Sequence, residues 1–140
     1  MERIEFEILT NDLLESSLND LILMDKQAFG IEAWGKENFR YHLPYKYELS
    51  FVVKNDEKVI AFCINSKKVE DCYIHRIVID KDYRGKGLGN EMINYIQNQL
   101  NQKKISLKVN VNNIFAINFY FKMNFKIDSI QNEYYTMKRI

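Results

Sequence analysis

Hydrophobic and polar residues alternate in some segments of the chain and follow a helical period in others. The segment RIEFEIL, Arg3 to Leu9, alternates charged and apolar side chains, which predicts a half-buried strand. Apolar residues then recur at helical spacing from about Leu13 to Phe29, after the capping residues TND. The segment GIEAWG interrupts this period, and KENFRYHL predicts a short second helix that ends before Pro44.

The rest of the chain predicts strands and helices in a mixed order. ELSFVVK and VIAFCIN predict a hairpin around the turn NDEK, and CYIHRIVI predicts a further strand after SKKVED. A glycine loop and a helix to about Leu100 follow, then the strand ISLKV, the helix NNIFAINFYFKMN and the strands FKID and YYTMKRI. The order β–α–α–β–β–β–α–β–α–β–β predicts a mixed α/β fold. Without repeats or linkers, residues 1–140 are expected to form a single domain.

Composition limits the classes of function. The 140 residues are 46% hydrophobic and 28% charged with a formal net charge of +1, which gives no electrostatic reason to expect nucleic acid or a membrane as a partner. No apolar stretch resembles a signal peptide or a membrane span, so a cytoplasmic location is expected. The two cysteines, Cys63 and Cys72, make neither a disulfide framework nor a metal site, and we expect no metal.

The segment YRGKGLGN, Tyr83 to Asn90, is the strongest chemical signal in the sequence. Glycines before a helix let backbone N–H groups approach an anion, and Arg84 and Lys86 add positive charge, so a phosphate is the expected ligand. A plain tight turn is the alternative. Neither the P-loop pattern nor the Rossmann pattern fits, because no Lys-Ser/Thr pair follows and the glycine spacing is G-x-G-x-G.

Two motifs together resemble one known family. The loop is similar to the R-G-x-G-[ILA]-G acetyl-CoA loop of the GNAT superfamily of N-acetyltransferases, and NNIFAINFYFKMNF resembles that superfamily's N-x-x-A-x-x-[LF]-Y-x-K-x-G-F segment. The matching positions of the second motif are Asn113, Ala116, Phe119, Tyr120, Lys122 and Phe125. MDKQAFGIEAW and NFRYHL are similar to bacterial ribosomal-protein and N-terminal-amine acetyltransferases. The likeness spans essentially the whole chain and implies a bacterial enzyme.

This resemblance implies the fold and the co-substrate. It implies a central, mostly antiparallel sheet that is splayed at the cofactor site, with helices on both faces. It also implies that acetyl-CoA binds along the strand RIVI and the glycine loop. The residues implied for acetyl-CoA binding are Ile77, Val78, Ile79, Arg84, Gly85, Lys86, Gly87, Leu88, Gly89, Asn90, Asn113 and Tyr120.

The family match also suggests the residues that carry protons. Tyr120 is the candidate general acid, because a phenol can protonate a departing thiolate. Packing as a core aromatic is the alternative. His75 is the candidate base, on a strand whose alternation places Tyr73, His75, Ile77 and Ile79 on one face. A structural role for His75, with water or solvent taking the proton, is its alternative.

Candidates for acceptor binding are Trp34, Tyr45, Tyr47 and Tyr73, with core or rim packing as the alternative. Two positions depart from the family pattern. Asn124 replaces a glycine at a helix end, where Asn tolerates the left-handed conformation. Lys108 stands where N-terminal-amine acetyltransferases often carry an acidic residue, and its charge would repel an ammonium group if it faced the site.

These observations predict direct transfer of an acetyl group from acetyl-CoA to a primary amine of a small molecule or a protein, by a monomer or homodimer. A CoA-binding sensor or partner module that has lost catalysis is the rival hypothesis, favoured by Lys108 and the missing acidic base. A protein that binds ATP through the glycine loop is disfavoured by the failed phosphate-loop patterns.

Overall fold

The computed structural model describes residues 2–140, so Met1 lies outside it. A seven-stranded sheet has the order β1-β2-β3-β4-β5-β7-β6. The strands are β1 Ile4–Ile8, β2 Phe51–Asn55, β3 Lys58–Lys68, β4 Asp71–Ile79, β5 Ile105–Asn110, β6 Lys126–Gln131 and β7 Tyr134–Arg139. The helices are α1 Asn11–Phe29, α2 Lys36–Arg40, α3 Lys46–Leu49, α4 Leu88–Asn98 and α5 Ile114–Lys122. All strand pairs are antiparallel except β4–β5.

Helices cover both faces of the sheet. One buried cluster joins α4 and α5 to alternate residues of the strands, and a second cluster joins α1 and α2 to the opposite set. The sheet is therefore apolar on both faces in its centre, where β3 is buried over most of its length. None of the helices in residues 2–140 has the length and apolar character needed to cross a bilayer.

The predicted order of elements is confirmed, with one helix added. The segment Lys46–Leu49 forms the single turn α3, where the sequence pattern predicts the beginning of a strand, and β2 starts only at Phe51. Buried Lys46 explains this turn, because its Nζ donates to the carbonyl of Phe39 and, at 3.1 Å, to that of Tyr41. The turn thereby caps the end of α2, which stops at Arg40, well before Pro44.

The sheet opens between its two central strands. Strand β4 pairs with β3 along its length, but it pairs with β5 only at Cys72–Ile105 and Tyr73–Ser106. Beyond these pairs the two parallel strands separate, and β5 continues with β7 as its partner on the other side. The splayed sheet implied by the family resemblance is therefore present.

A β-bulge in β4 corrects the predicted alternation of its side chains. Ile64 pairs with Arg76 while Asn65 pairs with Ile74, so β4 carries one extra residue at His75. Ile74 and Ile77 consequently pack into the same cluster, although they are three residues apart. The prediction that Tyr73, His75, Ile77 and Ile79 share one face is wrong, because the slip places His75 and Ile77 on opposite faces.

Helices α4 and α5 approach each other closely at Gly89. A Cβ atom on Gly89 would lie 2.9 Å from Cζ of Phe119 and 3.2 Å from Sδ of Met123. Gly89 is buried, with an ordinary φ, so a side chain is excluded here by packing and not by backbone conformation. This third glycine of the loop thus has a structural role that fixes α5 against α4.

We predict that Gly89→Ala destabilises the fold. Overpacking typically costs about 1–3 kcal/mol, which exceeds the gain of up to about 1 kcal/mol from replacing glycine in a helix. Urea unfolding should therefore show a lower midpoint. Asn98→Ala, at an exposed position at the end of the same helix, is the matched control and should not lower the midpoint. An unchanged Gly89→Ala midpoint would contradict the close approach.

Candidate active site

A cleft of about 520 Å³ lies where β4 and β5 separate. Its walls come from β4, β5, the first two turns of α5, the end of α1 and the beginning of β7. The residues lining it are Phe29, Glu32, Ile74, His75, Arg76, Ile77, Leu107, Lys108, Val109, Asn110, Asn112, Asn113, Ala116, Tyr120 and Tyr134. Both predicted proton carriers, Tyr120 and His75, thus line one cleft.

The edge of β4 offers backbone groups to this cleft. The N–H of Asp80 donates to the carbonyl of Ile60 at 2.8 Å, which sets the direction of alternate backbone groups in β4. The backbone N–H and C=O groups of Val78 are accordingly directed at β3. Those of Ile77 and Ile79 are directed at the gap between β4 and β5. Nε of Arg84 donates to the carbonyl of Ile79 at 2.9 Å. Ile77 and the N–H of Ile79 therefore remain for an extended ligand, whereas Val78 presents its backbone to the neighbouring strand.

The glycine loop connects β4 to α4 and has the conformation of an anion cradle. Gly85 and Gly87 adopt φ values of 74° and 86°, and Gly87 directly precedes the first residue of α4. Apart from the glycine itself and the two residues next to it, no heavy atom of the described chain lies within 4 Å of a Cβ built on either glycine. Arg84, which precedes Gly85, and Lys86, which lies between the two glycines, are exposed. The loop, the open helix N-terminus and the two cations fit a phosphate group.

Helix α5 brings Asn113, Ala116 and Tyr120 to the same wall of the cleft. Oδ1 of Asn113 accepts from the N–H of Ala116 at 3.1 Å and caps the helix, so only its amide nitrogen is left for a ligand. At the other end of the helix, Asn124 adopts a φ of 66°. The expected left-handed turn therefore exists without the family's glycine.

Tyr120 lies in apolar surroundings. Its ring packs edge-on against Phe119 and Phe125, with centroids 5.5 and 5.6 Å away. Burial raises the pKa of Tyr120, and the nearby charge of Arg76 lowers it only in part. The phenol therefore keeps its proton throughout the neutral range. Tyr120 is both a packed aromatic and a residue of the cleft wall, so the two readings of its role do not exclude each other.

His75 occupies the bulge. Its Nε2 lies 2.7 Å from Oγ of the buried Ser66, and its ring packs edge-on against Tyr73 at 4.7 Å. Burial, and secondarily the charge of Lys68, lowers the pKa of His75 to about 4. The imidazole is neutral at physiological pH and can accept a proton, but it is a weaker base than an ordinary histidine.

Arg76 is the residue that sequence reasoning missed. Its guanidinium lies 4.0 Å from the ring centroid of Phe29 and 4.9 Å from that of Trp34. Nη2 donates to the carbonyl of Glu32 at 2.7 Å, and Nε is 3.4 Å from Oδ1 of Asp25. The available signal was a single Arg in the mostly apolar run IHRIVI, together with Asp25 at a position on the apolar stripe of the amphipathic helix α1.

The four residues predicted to bind the acceptor are not among those that line the cleft. Trp34 packs on Phe39 and holds Arg76, and Tyr73 packs on His75, so both touch cleft residues. Tyr45 is 60% exposed in a left-handed conformation, and Tyr47 packs on the α1 cluster. Lys108 does line the cleft, from an exposed position on β5.

Residues 2–140 contain no group of three or more His, Cys, Asp or Glu side chains placed to hold a metal ion. Cys63 and Cys72 are both buried and free, and burial raises the pKa of each thiol, to about 12 for Cys72.

Comparison with known proteins identifies this arrangement. The model of the Acetyltransferase (GNAT) family matches residues 16–125, which include β4, the glycine loop and α5. The [ribosomal protein bS18]-alanine N-acetyltransferase of Escherichia coli K12 is 26% identical over 105 residues, covering 73% of this chain and 70% of that protein.

Solved structures agree on the fold. The ribosomal-protein-S18-alanine N-acetyltransferase from Escherichia coli superposes with a TM-score of 0.78 at 19% identity, covering 97% of this chain and 92% of that one. The PaiA N-acetyltransferase from Thermoplasma acidophilum, solved in complex with coenzyme A, has a TM-score of 0.73 at 18% identity and 98% coverage of both chains.

We predict that His75 titrates near pH 4 and couples folding to pH. Its ordinary pKa is about 6.5, so the unfolded chain binds more protons than the folded chain between that value and about 4. The contribution of His75 to stability is complete above about pH 6.5 and falls as the pH drops through this window. NMR titration of the ring and urea unfolding at several pH values would measure both effects.

His75→Gln should flatten the dependence of stability on pH between about 4 and 6.5. His42→Gln replaces the exposed histidine and should leave the His75 contribution in place. A ring that titrates near pH 6.5 would contradict the buried environment described above.

Proposed function

Because this chain belongs to the GNAT acetyltransferase family, we propose that it transfers an acetyl group from acetyl-CoA directly to a primary amine, in a ternary complex. One observation carries the proposal: the open edge of β4 and Tyr120 line a single cleft, and the glycine loop follows directly on β4. We further propose that residues 1–140 form one domain of this type.

The donor would be held by backbone groups over most of its length. Acetyl-CoA supplies an activated thioester, and its pantetheine arm has amides that can pair with Ile77 and Ile79 as an added strand would. Gly85 and Gly87 leave room for the pyrophosphate at the beginning of α4, where N–H groups are free. Arg84 fits this role because its Nε bond to Ile79 orients the side chain while its terminal nitrogens remain available.

Tyr120 is proposed as the group that protonates the departing thiolate. Burial raises the pKa of Tyr120, so the proton is present at every working pH. The same apolar surroundings raise the proton affinity of a thiolate formed beside it, which keeps the transfer feasible. A phenol also donates without introducing a charge into a buried site.

Removal of the proton from the ammonium acceptor is proposed to involve His75 or water. The neutral imidazole can accept a proton, but with a pKa of about 4 it gives it up readily. Its Nε2 is already paired with Ser66, so a water molecule between His75 and the amine is a reasonable carrier. An acceptor that reaches the cleft as a free amine would still lose one proton when its nitrogen bonds to the acetyl carbon. That proton can return through water to the Tyr120 phenolate left by protonation of the thiolate, so the step balances without a base acting before the attack.

The rival function, a CoA-binding module without catalysis, is favoured by Lys108 in place of an acidic residue and by the weak basicity of His75. Release of free CoA, measured with a panel of primary amines, separates the two functions. A catalyst releases CoA in an amine-dependent manner, whereas a binding module retains affinity for acetyl-CoA but releases none.

Gly87→Asn should weaken acetyl-CoA binding without disturbing the fold. Asn tolerates the left-handed conformation at φ 86°, and the free protein has room for its side chain. That side chain would occupy the place proposed for the pyrophosphate. We expect affinity measured by calorimetry to fall at least about tenfold, or ~1.4 kcal/mol, with an unchanged unfolding midpoint. Normal affinity in the folded variant would show that the loop is only a turn.

Tyr120→Phe should lower kcat by roughly 10²–10⁴-fold, the range for a lost general acid, while acetyl-CoA affinity changes little because the ring remains. Tyr95→Phe makes the same chemical change on α4, where the ring packs against Phe6 and Phe51, and serves as the control. A wild-type kcat for Tyr120→Phe on an acceptor that the wild-type enzyme uses would refute the assignment.

A further inference from the structure

Arg76 has more supporting contacts than a structural ion pair requires. The aromatic rings of Phe29 and Trp34 pack against its guanidinium, a carbonyl accepts from Nη2, and a fully buried carboxylate lies beside Nε. In the part of the chain that the structure describes, no group accepts a hydrogen bond from Nη1. Since Arg76 lines the cleft, this nitrogen is the one left for a ligand.

The aspartate that holds Arg76 is costly to bury. The side chain of Asp25 is 0% exposed, and burial raises its pKa, opposed by the N–H of Trp34 at 2.7 Å and by Arg76. Such pairs seldom add much to stability compared with apolar residues of similar size. Asp25 and the two rings hold the guanidinium of Arg76 in place. The side chain therefore loses little rotamer entropy when it binds a ligand.

The opposite wall of the cleft carries a second cation. Lys108 lies on β5, across the splay from Arg76 on β4, and Lys68 is close enough to His75 to lower the pKa of that ring. Among the described residues, Glu32 is the acidic side chain that lines the cleft, while three asparagines, Asn110, Asn112 and Asn113, add amide donors. Asp25 is buried beneath Arg76 and does not line the cleft.

We propose that the acceptor amine carries a carboxylate, which binds between Nη1 of Arg76 and the ammonium of Lys108. The amine that is acetylated would then lie near Tyr120 and His75, which line the same cleft as the two cations. This inference rests on the proposed function, and it defines the class of acceptor. A guanidinium fixed by its surroundings and a mobile ammonium, facing each other across a cleft, match an acidic group.

The same charges disfavour polyamines. A diamine or polyamine would place its second ammonium beside Arg76 or Lys108, and like charges at such distances repel each other. Glu32 alone does not offset two cations. Lys108 argues against a simple cationic acceptor. The same residue favours an acceptor that carries a negative charge.

The test compares acceptors that differ only in charge. With acetyl-CoA as donor, kcat/KM is measured for β-alanine, its amide and 1,3-diaminopropane. A second arm uses glycine and glycinamide, and C-terminally amidated peptides that begin with Ala-Glu or Ala-Gln, to distinguish free amino acids from acidic peptide N-termini. We expect the carboxylate-bearing member of each pair to be preferred by about tenfold or more, as one charge-assisted pair supplies.

Variants locate the preference on the two cations. Lys108→Met changes an exposed side chain, and the double variant Arg76→Gln with Asp25→Asn removes the guanidinium without leaving a buried unpaired carboxylate. Each should reduce the carboxylate preference by about tenfold, while kcat/KM for the uncharged amide changes much less. Arg40→Gln removes an arginine paired with Glu15, away from the cleft, and should leave the preference unchanged.

The outcomes separate this inference from the proposed function. Acetylation without a carboxylate preference, or a preference for the diamine, overturns the inference and leaves the acetyltransferase proposal standing. If no amine is acetylated, the affinity of the same acceptors for the protein–CoA complex, measured by calorimetry, decides whether the inference holds. Tighter binding of the carboxylate-bearing members, lost in Lys108→Met, supports the inference, and equal or absent binding overturns it.

Discussion

The arrangement of the site depends on which backbone N–H and C=O groups of β4 have hydrogen-bond partners in the sheet. Every buried N–H and C=O needs a partner, and β3 supplies partners along one edge of β4 from end to end. On the other edge, β5 supplies them only at Cys72 and Tyr73. Apart from the Ile79 carbonyl, which accepts from Arg84, the polar groups of that edge beyond these two residues face a cleft in the middle of the sheet. A ligand with amide groups along its length could pair with this edge as an added strand would.

The rest of the site is organised around that open edge. The glycine loop continues directly from the end of β4, and the bond from Arg84 to the carbonyl of Ile79 ties the loop to the strand. Helix α5 forms the wall on one face of the sheet and carries Tyr120, while the end of α1 forms the wall on the other face. A donor and an acceptor that entered from opposite faces would meet where Tyr120 and His75 lie.

Local signals in the sequence account for most of the fold. Alternation and helical periodicity gave the order of the elements, and two short motifs pointed to Tyr120 and the glycine loop, because spacing along one segment is enough to describe them. The bulge at His75 could not be predicted, since it depends on the register between β3 and β4. Strict alternation therefore predicts His75 and Ile77 on the same face of β4, whereas the bulge places them on opposite faces.

Contacts between elements explain the other omissions. The turn α3 forms because Lys46 donates to the carbonyls of Phe39 and Tyr41 at the end of α2, and the hydrophobic period of one segment does not indicate such a contact. Arg76 belongs to the site through Asp25, which is 51 positions earlier in the chain, and through the rings of Phe29 and Trp34. Trp34 illustrates the same point, because this candidate for acceptor binding packs against Arg76 and is not among the residues that line the cleft. Gly89 was predicted to bind the cofactor, and its contact with Phe119 gives a further reason for a missing side chain that the motif alone does not reveal.

The splay between β4 and β5 also affects how this sheet avoids self-association. Unpaired strand edges on a protein surface invite strands from other molecules to add to them. Here two such edges lie inside the sheet, where they face each other across the cleft and are flanked by α5 and the end of α1. A foreign β-strand would have to enter between two helices to pair with them. The molecule therefore leaves these backbone edges accessible from the cleft and shields them from strands of other molecules.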